Sequence, residues 1–230
     1  MTFGTNVAVN CYWNYSNLSK MRWAIIYLIG LITIIPYGLK SSTLHDTDME
    51  NNGDRLKTAV FAGGCFWCTE AMFSQMKGVQ KVVSGYAGGH VADPTYKQVC
   101  TGLTGHAECT QITYDPHLVT FGDLLEVFWM THDPTTLNRQ GADVGTQYRS
   151  AIFYTDEEQR EAALVYKAKL EKEKIWKDPI VTEFTKLIKF YPAEDYHQDY
   201  YEINPDQGYC RIVITPKIEK FKKIFAGKLK

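Results

Sequence analysis

The chain has almost no excess charge of either sign, with 25 basic and 26 acidic side chains among 230 residues and a formal net charge of -1. Without a broad electrostatic field there is little to hold a polyanion, which argues against nucleic acid and for a small or neutral ligand. Internal repeats are absent, so solenoids and arrays are excluded. A second close pair of thiols is missing as well. Cys65 and Cys68 stand together, but Cys100 and Cys109 are separated, with no histidine at ligand spacing, and a structural metal site is not indicated. The length suits one well-buried domain and not two large ones. A domain of that size needs no disulfide scaffold, so Cys11, Cys65, Cys68, Cys100, Cys109 and Cys210 read as one redox site plus bystanders.

Charge is also missing from residues 23–39, an apolar run that follows Lys20 and Arg22. This is the pattern of a signal-peptide core or a short membrane anchor. No small-x-small cleavage site follows it, because Pro36, Tyr37, Leu39 and Lys40 crowd the positions, and no cysteine lies just downstream for lipidation. An uncleaved anchor is therefore expected. The polar stretch SSTLHDTDMENNGD isolates it, making residues 1–57 a leader and linker. The basic flank leads us to expect the rest of the chain outside the cytoplasm, with a cytoplasmic chain as the alternative.

Beyond the leader, strands and helices do not alternate strictly. Residues 57–62 read as a strand ending in Gly63-Gly64, followed by a helix over 69–77 and strands over 79–86 and 107–114. Thr120 is placed to cap a helix running through Met130, a long loop covers 132–146, and a strand follows over 147–154. Thr155 to Glu158 reads as a capping box for a helix ending near 173. A strand is expected over 180–190, a short helix around Tyr196, Tyr200 and Ile203, and a final β-branched run over 211–215. Ile218, Phe221, Ile224 and Phe225 share a helical face, so the basic tail 216–230 is expected to pack against the domain rather than bind a membrane. The pattern predicts an α+β two-layer sandwich with a mixed, mainly antiparallel sheet and a ferredoxin-like core.

The chemistry concentrates in GGCFWCTE, residues 63–70. A free thiol with a pKa of about 8.5 is mostly protonated at neutral pH, and only the thiolate is nucleophilic. Cys65 sits at a strand-to-helix turn, where unpaired N–H groups and the helix dipole are expected to lower its pKa. Gly63 and Gly64 are expected to clear a path for substrate, and Phe66 and Trp67 to line an apolar slot. Two core aromatics beside an inert cysteine would be the plain structural alternative. Tyrosine, present in 15 copies, supplies phenols for a polar pocket.

The segments GGCFWCTEAMF, SGYAGG, DPTYKQVCTGLTGHAE, HDPTTLNRQGADVGTQYRSAIFY, FYPAEDYHQDYY and NPDQGYC together resemble methionine sulfoxide reductase A, in order and over about residues 58–215. The resemblance implies Cys65 as nucleophile and Phe66 and Trp67 as the methyl-binding aromatics. It implies Glu108 as the acid that protonates the sulfoxide oxygen, Tyr96 and Tyr148 as oxygen-binding phenols, and Asp143 as their support. That chemistry is coherent, since sulfur attack needs an acid and neutral donors at the departing oxygen, and burial beside aromatic rings would keep Glu108 protonated. The product at Cys65 would be a sulfenic acid that condenses with a second thiol. The resemblance points first to Cys210, on a mobile C-terminal segment. The position of Cys68 is often glycine in this family, and Cys68 is here either the direct resolver or a relay. Cys100 and Cys109 are expected to be buried and inert. The implied substrates are oxidised proteins and methionine sulfoxide, and the implied reductant is thioredoxin or another dithiol, with no bound cofactor and a monomeric enzyme. A thioredoxin-type disulfide oxidoreductase and an anchored binding module are the competing classes.

Overall fold

The run KTAVFAG forms strand β1 (Lys57–Gly63), which is buried on both faces from Ala59 onward. Burial of that kind belongs to a central strand. The computed structural model describes residues 56–230. The strands that follow are β2 (Val79–Ala87), β3 (Ala107–Tyr114), the short pair β4 (Arg139–Gln140) and β5 (Asp143–Val144), β6 (Ser150–Tyr154), β7 (Glu183–Lys186) and β8 (Phe190–Pro192). The helices are α1 (Phe66–Phe73), α2 (Tyr96–Cys100), α3 (Phe121–Thr131), α4 (Glu157–Lys172), α5 (Tyr200–Ile203) and α6 (Thr215–Ile224). Six strands make one sheet in the order β7-β6-β1-β3-β2-β8, with every neighbouring pair antiparallel except β6 and β7. The expected α+β class and mixed, mainly antiparallel sheet are found. Its four middle strands, with α1 after β1 and α3 after β3, run β-α-β-β-α-β, the chain order of a ferredoxin-like core.

The sheet must curl. Strands β7 and β8 lie at opposite edges, yet Lys186 and Phe190 are only four residues apart in sequence. Four residues reach about 14 Å, whereas the edges of a flat six-stranded sheet would stand about 24 Å apart. The short connection therefore forces the edges together. This corrects the single strand expected over 180–190. Leu187 and Phe190 pack on a small cluster of Val60, Ala62, Ala87, Ala107, Cys109, Ala151 and Phe153, while Ile188 is 88% exposed.

The main core lies on the other face, beneath the helices. Phe61 of β1 meets Phe73 of α1 and Phe128 of α3 with ring centroids 5.8 and 5.0 Å apart. Thr120 caps α3 through a reciprocal box with Asp123. The cap of α4 falls one residue later than the sequence suggested: Asp156 accepts from Gln159 N–H, and the Gln159 side chain accepts from Thr155 N–H. Gln159 also donates to Thr58 O at 2.7 Å, which ties α4 to β1 and favours this register. Helix α1 begins at Phe66 rather than 69, and β6 begins at Ser150 rather than 147.

The β-branched run after Gly208 is not a strand. Cys210–Ile214 forms a π-helical turn that leads into α6, with Pro216 in the first turn, where its missing N–H costs nothing. Burial of Cys210, Ile214, Ile218 and Phe221 on the main core overrides the strand propensity. Lys228 then pairs with Asp123 and Glu126 of α3 at 2.7 and 2.6 Å. Phe221→Ala is expected to destabilise the domain by about 3–5 kcal/mol, as deletion of a buried aromatic does. Urea unfolding would measure this, and a loss below 1 kcal/mol would mean that α6 is not part of the cooperative unit. The apolar run 23–39 and Cys11 lie outside the described residues.

Candidate active site

Cys65 is the N-cap residue of α1, directly after a glycine that has to be a glycine. Gly64 has φ +92°, and a Cβ there would lie 2.6 Å from Cγ of Gln140. The Gln140 amide is fixed in turn, accepting from Asp133 N–H at 3.0 Å and donating to Asp133 O at 3.1 Å. The bare glycine thus serves the seating of the β4–β5 hairpin against the turn.

Glu108 lies on β3 opposite Tyr86 of β2, in a strand whose side chains alternate between the faces. Ile112 and Tyr114 share its parity and belong to the main core, while Cys109 falls in the small cluster on the other face. Only 1% of Glu108 is exposed, and its Oε2 accepts from Phe66 N–H at 3.1 Å. That bond takes one of the free N–H groups at the start of α1. Burial pushes the carboxyl up to about 8, against the lowering effect of the Phe66 bond and with reinforcement from Asp143 and Cys68. It is therefore a protonated acid at neutral pH.

The aromatic wall is larger than Phe66 and Trp67. Trp67 stacks on Tyr200 with centroids 3.7 Å apart and planes 8° from parallel, and its Nε1 donates to His197 Nδ1 at 3.2 Å. Phe66 lies against Tyr86, Tyr96 and His197 at 5.9, 6.5 and 5.1 Å. Glu194 ties two of these together, accepting from Tyr96 N–H at 2.8 Å and from the Tyr86 hydroxyl at 3.0 Å. Burial raises the hydroxyls of Tyr86, Tyr96 and Tyr148, so all three remain neutral donors.

Tyr148 ends a 3-10 turn, Thr146–Tyr148, positioned by the next residue. The Arg149 guanidinium donates to Thr146 O and Gly105 O at 2.9 and 3.0 Å and pairs with Glu183 at 3.0 Å, locking this turn to the start of β3. Tyr148 feels the charges of Glu108 and Cys65, and Tyr96 that of Glu108. Asp143, at the tip of the β4–β5 hairpin, accepts from Tyr209 OH at 2.7 Å. Its direct partner is thus a phenol that sequence reasoning had not singled out.

The thiols depart most from expectation. Cys65 and Cys68 are both buried, and they share a hydrogen bond. Burial pushes Cys65 well up, and the neighbouring Cys68 and Glu108 add to it. The helix start does not lower its pKa as expected, because burial outweighs it. Cys68 instead falls to about 7, chiefly through the bond from Cys65 and with help from Lys217, against the cost of burial. In the resting pair, the Cys65 thiol donates to a readily ionised Cys68. Cys210, expected on a mobile segment, is packed in the π-helical turn, where the charge of Cys68 acts on it. Cys109 is buried, but Cys100 is exposed, contrary to expectation. Among the described residues no group of three or more His, Cys, Asp or Glu could hold a metal ion.

The fold thus brings Cys65, Cys68, Glu108, Phe66, Trp67, Tyr96, Tyr148 and Asp143 into one neighbourhood. Tyr86, Glu194, His197, Tyr200 and Tyr209 complete it. The last four lie within the segments FYPAEDYHQDYY and NPDQGYC, where a signal was available in the sequence, but their partners are remote in the chain.

A dithiol pair beside a neutral carboxylic acid and aromatic and phenolic walls defines a thiol-based oxidoreductase. A family model described as peptide methionine sulfoxide reductase matches residues 57–229. Peptide methionine sulfoxide reductase MsrA of Chromobacterium violaceum is 56% identical over 171 residues, covering 74% of this chain and 97% of that protein. The MsrA of Acinetobacter baumannii is 55% identical over 175 residues, covering 76% and 99%. Among solved structures, methionine sulfoxide reductase A of Corynebacterium diphtheriae superposes with a TM-score of 0.61 at 38% identity, over 68% of this chain and 78% of that one. Reduced Mxr1 of Saccharomyces cerevisiae gives 0.61 at 35% identity, over 69% and 91%. The chain belongs to the peptide methionine sulfoxide reductase family.

Proposed function

We propose that the protein reduces the S epimer of methionine sulfoxide, in oxidised proteins and as the free amino acid, and so repairs oxidative damage. The observation that carries this is the buried Glu108 carboxyl, which accepts from Phe66 N–H in the first turn of α1, next in sequence to Cys65, and is pushed up to about 8 by burial. The sulfoxide methyl lies against Phe66 and Trp67, and its oxygen faces Glu108, Tyr96 and Tyr148. The sulfur of Cys65 attacks the sulfoxide sulfur while Glu108 protonates the oxygen. Overall, one thiol and one sulfoxide become one sulfenic acid and one thioether. Tyr209, which donates to Asp143, lies near the two thiols.

The sulfenic acid then condenses with a second thiol and loses water. Cys68, hydrogen-bonded to the Cys65 thiol, is the first resolver in this reading, and Cys210, which interacts with Cys68, takes the disulfide on. Thioredoxin or another dithiol restores the enzyme by exchange. If residues 23–39 anchor or export the chain, that donor works outside the cytoplasm.

The test is dithiothreitol-driven reduction of separated S and R epimers of a methionine sulfoxide peptide. Methionine is expected from the S epimer only. Equal turnover of both epimers, or of neither, would overturn the assignment.

A further inference from the structure

Cys68 is buried, and burial opposes its thiolate, so the thiolate of the resolving pair needs a counter-charge. A basic side chain that does reach one of the two sulfurs comes from α6. Lys217 Nζ donates to Cys68 Sγ at 3.9 Å, across 149 residues of sequence. Helix α6 is held in this position, since Ile214 before Lys217 and Ile218 and Phe221 after it are seated in the main core with Met72 and Phe73 of α1.

We propose that Lys217 is a positioning residue for the second half of the reaction: its ammonium holds Cys68 as the thiolate that attacks the Cys65 sulfenic acid. The inference rests on the reductase reading above and deepens it by assigning the charge that drives resolution.

The chemistry balances without an added reagent. The Cys68 thiolate supplies an electron pair to Sγ of Cys65, the S–S bond forms, and the S–O bond of the sulfenic acid breaks. The departing hydroxide takes a proton and leaves as water. One sulfur is oxidised and the other reduced, and the net change is one thiol plus one sulfenic acid to one disulfide plus water.

Among the charged groups that act on Cys68, Lys217 favours the thiolate. Asp143, on the β4–β5 hairpin, raises the Cys68 pKa, and Glu108 of β3, which feels the charge of Cys68, is pushed up to about 8 and so is mostly neutral at pH 7. Tyr209 and Cys210, on the segment before α6, are both pushed up by burial and stay neutral. His132, after α3, is pushed down to about 4 by burial, with Lys217 contributing, and carries no charge either. Cys68 nevertheless comes out near 7.

The experiment is a single turnover of the full chain with methionine sulfoxide and no reductant. Released methionine is measured alongside the appearance of the Cys65–Cys68 bridge by acid quench and mass mapping, from pH 5.5 to 9. In Lys217→Met, bridge formation at pH 7 is expected to slow by roughly tenfold and its pH dependence to move upward by about one unit, toward an ordinary thiol. Lys217→Arg is expected to restore most of the rate. An unchanged rate and pH profile in Lys217→Met would overturn the inference, as would equal slowing in Lys217→Arg or a first bridge from Cys65 to Cys210. Failure of the underlying reductase reading looks different, because the native chain would then release no methionine at all.

Discussion

Cys65→Ser is expected to abolish methionine formation, with a loss of more than about 10⁴-fold. The size follows from the absence of any substitute. A serine hydroxyl is a far weaker nucleophile and cannot carry the sulfoxide oxygen away as a sulfenic acid. Cys68 has the more readily ionised sulfur, at about 7, but it lies a turn into α1 and within the reach of Lys217. The contrast with Cys68→Ser separates nucleophile from resolver: that variant is expected to release one equivalent of methionine and then stop, with a sulfenic acid trapped at Cys65. Dimedone labelling followed by mass spectrometry checks both. Multiple turnovers from Cys65→Ser would mean that another thiol is the nucleophile.

Glu108→Gln is expected to lower the rate of first methionine release by about 10² to 10⁴ at pH 7, the usual contribution of a positioned general acid. The substitution preserves shape, and the new amide oxygen can still accept from Phe66 N–H, so the loss reports the proton. In the native chain, release should climb with pH as the Cys65 thiolate fraction grows and level off above about 8, because the proton-bearing form of Glu108 disappears there. That levelling should vanish in the variant. Stability should move the other way. A carboxyl whose pKa rises from 4.5 to about 8 on folding binds more protons folded than unfolded, so its stabilising contribution is complete below about 4.5 and is lost as pH climbs to about 8. Glutamine has no such loss. The variant should therefore melt higher than the native protein at pH 8.5 and nearer to it at pH 4, as calorimetry would measure. A native rate that rises through pH 8 would refute the acid role.

Strand β3 was legible because its side chains alternate, and α3 because Thr120 and Asp123 advertise a capping box. The two misread segments failed for different reasons. Residues 180–190 are uniformly strand-like, and only the closing of the sheet splits them between its two edges. The run Ile212-Val213-Ile214 has strand propensity, yet burial of Ile214 and the following Pro216 make it helical. The reacting groups were legible for a simpler reason: Cys65, Phe66, Trp67 and Cys68 are contiguous, and Glu108 sits in a distinctive local motif. Residues that act through remote partners were not. Nothing within a few positions of Lys217 connects it to Cys68, nothing near Tyr209 connects it to Asp143, and no local pattern gives the exposed Cys100 away.

Cys210 lies between two clasps. Upstream, Tyr200 is stacked on Trp67; downstream, Leu229 bridges to Met76 and Lys230 N–H donates to Gln75 O at 2.9 Å, next to the end of α1. The thiol is consequently on a leash with both ends tied to the same helix that carries Cys65 and Cys68. Any unwinding of its turn to meet an electron donor is an excursion of a closed loop rather than release of a free tail. Its return is an intramolecular search at high effective concentration, and lengthening the chain between the clasps would slow that return only gradually, since closure entropy grows as the logarithm of loop length.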